Sequence, residues 1–118
     1  MALKICKRVE DGFGILSLEG SLTLGPSLHA LRHDARELLS KPELTGIILD
    51  VEKITSVDSS GLSELTIVYS DVSKQHRLMR LVGVSTSLCK MLKMTHLDVV
   101  LESADQLGTA KRQMRASA

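Results

Sequence analysis

The chain has 118 residues, of which 43% are hydrophobic and 25% are charged, and its formal net charge is +1. This length fits one domain over residues 1–118, with a core large enough to need neither a metal nor a disulfide. A nearly neutral surface gives no electrostatic reason to expect direct binding to nucleic acid or to an anionic membrane. Phe13 and Tyr69 are the two aromatic residues, so a stacking platform for single-stranded nucleic acid is not expected either.

The start of the chain predicts a β-hairpin followed by a helix. Leu3–Val9 and Phe13–Gly20 have strand character, and Asp11-Gly12 between them is a strong turn signal. The helix is predicted to begin at Gly25-Pro26, since proline suits a first helical turn, and to end at Lys41-Pro42. Its buried stripe is predicted from helical spacing to be Leu28, Leu31, Ala35, Leu38 and Leu39.

The middle of the chain predicts a buried strand and a second helix. Gly46–Val51 is a nearly unbroken apolar run, which is typical of a strand covered on both faces. A connection through Ile54 and Val57 leads to Asp58, a natural N-cap whose carboxylate accepts the N–H of Ser60 or Gly61. The second helix ends near Lys74, and its predicted inward residues are Leu62, Leu65, Tyr69 and Val72.

The last third of the chain predicts a strand, two helices and one candidate for a further short strand. Leu78–Val84 is expected to be a buried strand, and Ser85 is expected to cap a short helix with Leu88, Met91 and Leu92 inward. Val99–Leu101 is a candidate for a last short strand. Ser103 and Gln106 form a capping-box pattern that predicts the start of the terminal helix. Packing is expected to explain Met79, Met91 and Met94.

These patterns together predict a mixed α/β fold. Strands alternate with helices after the opening hairpin, in the order β-β-α-β-α-β-α-(β)-α. Such an order indicates a mixed sheet of four to five strands, covered mostly by about four helices.

The segment Asp58-Ser59-Ser60-Gly61 is the most informative part of the sequence. Its small residues lie at the positive end of a helix, where a phosphoryl group on a serine would add a charge of about −1.5 to −2 to any docking surface there. The same residues also make a good helix cap with no further function. The residues alone leave both interpretations open.

The surrounding residues resemble the signature of the STAS domain family, as found in anti-anti-sigma factors. The residues that carry the resemblance are Asp50 and Ile54-x-x-Val57-Asp58-Ser59-Ser60-Gly61-Leu62. The resemblance extends over nearly the whole chain and implies a STAS-like fold. The sequence departs from the pattern at Ser21 and Thr23, where relatives often carry acidic residues, and at Ser63, where they commonly carry glycine.

The resemblance also implies a function and its residues. It implies that Ser59 is phosphorylated by a partner anti-sigma factor that is also a serine kinase, and that Asp58, Ser59, Ser60 and Gly61 form the partner-binding surface. Such a protein binds the anti-sigma factor when unphosphorylated, releases it when phosphorylated, and so regulates sigma-factor-dependent transcription. A serine phosphatase resets the cycle.

Two other functions are considered. One is a non-switching STAS subunit of a stress-signalling complex or a lipid-transport system, in which the serines only cap the helix. The other is a small hydrolase or nucleotide-binding enzyme that uses Ser59, which is disfavoured because the sequence shows neither a phosphate-binding loop nor a Gly-x-Ser-x-Gly elbow. The sequence therefore predicts a binding protein and not an enzyme.

Cofactors and membrane association are not expected. His29 and His33 are four residues apart on the first predicted helix, but no third ligand is apparent, so no metal site is predicted. Cys6 and Cys89 show no Cys-x-x-Cys spacing, and no signal peptide or run of about 20 apolar residues is found. These features predict a cytoplasmic protein.

Overall fold

A mixed sheet runs through the centre of the computed structural model, which describes residues 3–117 without the side chain of Ser117. The strands of the described chain are β1 (Leu3–Glu10), β2 (Phe13–Leu22), β3 (Gly46–Val57), β4 (Leu78–Val82) and β5 (Ser103–Ala104). Its helices are α1 (His29–Leu39), α2 (Ser59–Lys74), α3 (Thr86–Met94) and α4 (Leu107–Ser117). The predicted mixed α/β class, the opening hairpin and the element order are confirmed.

The strands lie in the order β1-β2-β3-β4-β5, and only the first pair is antiparallel. The hairpin turn uses Asp11 and Gly12, whose φ angles are 55° and 81°, as a tight turn between twisted strands requires. β2, β3, β4 and β5 are parallel neighbours, and each parallel pair needs a crossover, which α1, α2 and α3 supply in turn.

Helices cover both faces of the sheet, and the buried side chains form two clusters. One cluster lies beneath α1, α2 and α3 and includes Leu16, Leu18, Leu31, Leu38, Leu49, Val51, Leu65, Val68 and Leu92. The other lies beneath α4 and includes Phe13, Ile15, Ile48, Val82, Ala110 and Met114. Burial on both faces explains the unbroken apolar run at the start of β3, and the prediction for that run is confirmed.

Lys111 attaches α4 to the opening hairpin. Its side chain is buried, and its ammonium group donates to Asp11 Oδ2 at 2.8 Å and pairs with Glu10. The hydrogen bonds to Asp11 and Glu10 raise the pKa of Lys111 above its ordinary value. The ring of Phe13 lies beneath the Arg115 guanidinium, 5.5 Å from it. Polar and apolar contacts therefore hold the same helix.

Several predicted boundaries were wrong in the first half of the chain. β3 extends to Val57 and does not end at Val51, because its pairing with β2 continues as far as Leu22. α1 begins at His29, since Pro26 lies in a turn closed by the hydrogen bond from Leu28 N–H to the Gly25 carbonyl at 3.2 Å.

The predictions for the C-terminal third were less accurate. β4 ends at Val82, before Gly83 takes a φ of 75°. Val99–Leu101 is not a strand, because the N–H of Leu101 bonds to the Leu97 carbonyl at 2.7 Å in a turn. The capping box is also wrong: Ser103 belongs to β5 and pairs with Leu81, and α4 begins four residues later. Met94 is 80% exposed, so packing does not explain it.

No helix of residues 3–117 has both the length and the apolar character required to cross a membrane.

Gly46 and Gly25 provide a matched test of the close packing at the start of β3, where β4 and α4 both approach the chain. A Cβ on Gly46 would overlap the Leu78 carbonyl oxygen and lie 2.7 Å from Met114 Cε. We expect Gly46→Ala to lower the free energy of unfolding in urea by about 1–3 kcal/mol. A Cβ on Gly25 meets no atom within 4 Å, so Gly25→Ala should stay within about 0.5 kcal/mol of wild type. Equal stability of the two variants would contradict this packing.

Candidate functional site

The candidate site lies at the carboxyl end of β3, where the chain enters α2. Leu22, the last residue of β2, pairs with Val57, the last residue of β3, so the loop after β2 lies next to the start of α2. Ligand and partner sites in α/β proteins often lie at this edge of a parallel sheet. The segment singled out in the sequence is therefore presented at the surface by two neighbouring strands.

Asp58 joins these two segments through its carboxylate. Oδ1 accepts the N–H of Gly61 at 2.9 Å, which confirms the predicted N-cap, and Oδ2 accepts the N–H of Leu24 at 3.0 Å. The backbone N–H of Asp58 donates to the Leu22 carbonyl at 3.3 Å. The hydrogen bonds from Leu24 and Gly61 hold the pKa of the Asp58 carboxyl below its ordinary value. The carboxylate is thus held in its ionised form.

Gly61 is required by the same close approach. It is buried in the first turn of α2, and a Cβ there would overlap the carbonyl oxygen of Leu22. Only glycine lets the helix start this close to β2. Gly61 therefore has a packing role within the segment predicted to bind a partner.

The serines of this helix differ in exposure. Ser59 is exposed and Ser60 is half-buried, and Ser63 is exposed one turn later. Within residues 3–117, none of these three hydroxyl groups has a hydrogen-bond partner. Because Asp58 supplies the cap, the structure does not use the Ser59 hydroxyl to hold the helix.

An apolar groove opens beside Ser59. It has a volume of about 420 Å³. Its walls come from α2 and from the segment that follows α3, and the residues that line it are Ser59, Leu62, Ser63, Thr66, Ile67, Thr95 and Leu97. Leu24, which Asp58 holds, is 75% exposed, and Met94 at the end of α3 is 80% exposed. The sequence analysis missed this groove, since its walls come from segments that only the fold brings together.

A second feature missed by sequence analysis is a buried charge on α2. Glu64 is 3% exposed and pairs with Arg32 of α1, while His29 Nδ1 lies 3.4 Å from Glu64 Oε1. Arg36 and Asp71 form a second link between the same helices at 2.9 Å. In the sequence, the only indication of this buried charge is that Glu64 stands next to the apolar positions of α2. These pairs fix α2 against α1.

The two histidines of α1 do not converge on one site. His29 faces Glu64, and His33 lies 3.8 Å from Glu37. His33, Asp34 and Glu37 are close enough together to hold a cation. However, the ammonium group of Lys7 pairs with Glu37 and lies 3.8 Å from Asp34, so these carboxylates already have a cationic partner. The hydrogen bond from Lys7 lowers the pKa of Glu37.

Comparison with known families agrees with this architecture. The family model described as the STAS domain matches residues 4–110. The chain belongs to the STAS domain family. This confirms the resemblance noted in the sequence.

Solved structures share the fold of this STAS domain at low sequence identity. A Thermotoga maritima protein described as an anti-sigma factor antagonist is 20% identical, with a TM-score of 0.84 and coverage of 94% of each chain. The phosphorylated form of the Bacillus cell-fate determinant SpoIIAA is 18% identical, with a TM-score of 0.70 and coverage of 94% of this chain and 98% of that one. A sulfate transporter family protein from Wolinella succinogenes is 19% identical, with a TM-score of 0.72 and coverage of 93% and 90%.

The Asp58 cap predicts a specific pH dependence of this STAS domain. Because folding lowers the pKa of Asp58, its ionised form stabilises the fold above the pKa of the unfolded chain, and this contribution is lost as the pH falls through the folded pKa. We expect the stability difference between wild type and Asp58→Asn to be constant from about pH 7 to 5 and to shrink below about pH 4. Urea unfolding at each pH measures it, and a difference that does not change with pH would contradict the cap.

Proposed function

We propose that this STAS domain is an anti-sigma factor antagonist that acts in the cytoplasm by partner switching. With Ser59 unmodified, it binds an anti-sigma factor that is also a serine kinase, and so frees a sigma factor for transcription. Phosphorylation of Ser59 by this partner releases it, and a serine phosphatase restores the binding form. Ser59 lies at the centre of the binding surface, which Asp58, Ser60 and the buried Gly61 build.

The observation that supports this proposal is the exposure of the Ser59 hydroxyl group and its position beside the groove. It is exposed, it has no hydrogen bond within residues 3–117, and it lies at the edge of an apolar groove. The helix cap is supplied by Asp58 instead. A serine without a structural task beside a surface suited to protein binding fits a modification site. The fold neighbours include an anti-sigma factor antagonist and the phosphorylated form of SpoIIAA, and both support the same function.

The local charges explain how phosphorylation would weaken binding. Within residues 3–117, no lysine, arginine or histidine pairs with Asp58, and its two carboxylate oxygens already accept backbone N–H groups. A phosphoryl group on Ser59 would add a charge of about −1.5 to −2 next to this carboxylate. A partner that covers the site would have to bury that charge, so its affinity would fall.

Direct phosphorylation tests the proposal. The purified protein is incubated with ATP and each anti-sigma-type kinase encoded in its source genome, and the mass gain is measured. We expect one phosphoryl group, located on Ser59 by fragment mass spectrometry. A phosphate on half-buried Ser60, or no mass gain with any of these kinases, would contradict the proposal.

Two substitutions at Ser59 separate a switch from a structural role. Since Asp58 caps the helix, we expect Ser59→Ala to change the stability by no more than about 0.5 kcal/mol, to bind the kinase normally and to resist phosphorylation. Ser59→Asp should fold equally well but bind at least about tenfold more weakly, because it places a charge in the interface. Titration calorimetry measures affinity, and urea unfolding measures stability.

A matched control uses an exposed serine at the other end of the same helix. Ser73→Asp adds the same charge near the end of α2, and it should leave the affinity unchanged. If Ser59→Asp keeps wild-type affinity, the alternative of a non-switching subunit in a stress-signalling complex or a lipid-transport system is favoured.

A further inference from the structure

Leu24 is a large apolar side chain exposed next to the candidate site. It is 75% exposed and belongs to neither buried cluster. A single exposed leucine is common on protein surfaces and indicates nothing alone. Leu24 differs from that ordinary case because its backbone is held in place.

Burial on one side of Leu24 and a hydrogen-bonded turn on the other fix the chain, and a hydrogen bond fixes Leu24 itself. Its own N–H donates to Asp58 Oδ2 at 3.0 Å. Before it, Leu22 is fully buried, and after it the turn into α1 is closed by the bond from Leu28 N–H to the Gly25 carbonyl at 3.2 Å. A loop whose backbone is already fixed has less conformational entropy to lose on binding, which lowers the entropic cost of association.

The position of Leu24 connects it to Ser59. Asp58, the residue that holds Leu24, immediately precedes Ser59 in the chain, so a protein that contacts the Ser59 hydroxyl also approaches Leu24. Ser59 also lines the apolar groove, and the exposed Met94 immediately precedes Thr95, another residue of that groove. Exposed apolar side chains therefore lie on two segments that adjoin this serine, the loop after β2 and the end of α3.

We propose that Leu24 is the apolar anchor of the interface with the serine kinase that modifies Ser59. This inference rests on the proposed function. It adds that Leu24 selects the partner, because the kinase must have an apolar depression beside its active site to receive this side chain. In most protein interfaces a few side chains that become buried in pockets of the partner dominate the affinity. A kinase without such a depression would leave Leu24 against polar groups and would bind weakly.

Three variants of the full chain test this proposal, with the purified kinase that phosphorylates the wild-type protein. Leu24→Ser removes the apolar side chain, whereas Leu24→Met keeps its bulk. Val9→Ser removes another exposed apolar side chain, on β1 opposite Gly14 and so far from the carboxyl end of β2. Affinity is measured by titration calorimetry, phosphorylation of Ser59 by its kcat/KM, and folding by urea unfolding.

We expect Leu24→Ser to bind at least about tenfold more weakly and to lose kcat/KM in proportion, with unchanged stability. The affinity of Leu24→Met should stay within about threefold of the wild-type affinity. The affinity of Val9→Ser should equal that of the wild type. Wild-type affinity in Leu24→Ser, or an equal loss in Val9→Ser, would overturn the anchor and leave the proposed function intact. Failure of the wild-type protein to bind or to be phosphorylated by any anti-sigma-type kinase would overturn both.

Discussion

The carboxylate of Asp58 holds together the two segments that form the candidate site. One oxygen caps α2 through Gly61, and the other fixes the loop after β2 through Leu24. Its negative charge also suits the positive end of the helix dipole. Because one side chain completes the cap and positions the loop, Ser59 can be exposed without weakening either. The close approach of Gly61 to β2 depends on the same junction.

α2 is anchored on one side and free on the other. Leu65 and Val68 lie in the core, and the pairs that Glu64 and Asp71 form with α1 add polar links. The pair of buried Glu64 with Arg32 adds little net stability, but removal of either partner would strongly destabilise the fold, whereas the more exposed pair of Arg36 with Asp71 contributes little. The side of α2 that carries Ser59 has no such attachment within the described chain. The helix is therefore attached through the face that packs on α1 and the sheet.

The features that the sequence predicts correctly are those with a local cause. The core of β3 follows from its unbroken apolar run, and the Asp58 cap follows from a donor only three residues away. The contact of Asp58 with Leu24 spans 34 residues and exists only because β2 and β3 pair, so no local pattern contains it. Ser103 is similar: a two-residue strand is defined by its neighbour Leu81 and not by its own composition.

The ion pairs of Lys111 have a consequence for the order of folding. They connect residues 100 and 101 positions apart, whereas the hairpin and the crossovers form from nearer contacts. Closing a longer loop costs more chain entropy, so we expect α4 to dock last. Until it docks, Phe13, Ile15 and Ile48 have no helix over them. A folding intermediate without docked α4 therefore exposes an apolar face of the sheet, which a chaperone would bind and through which aggregation would begin.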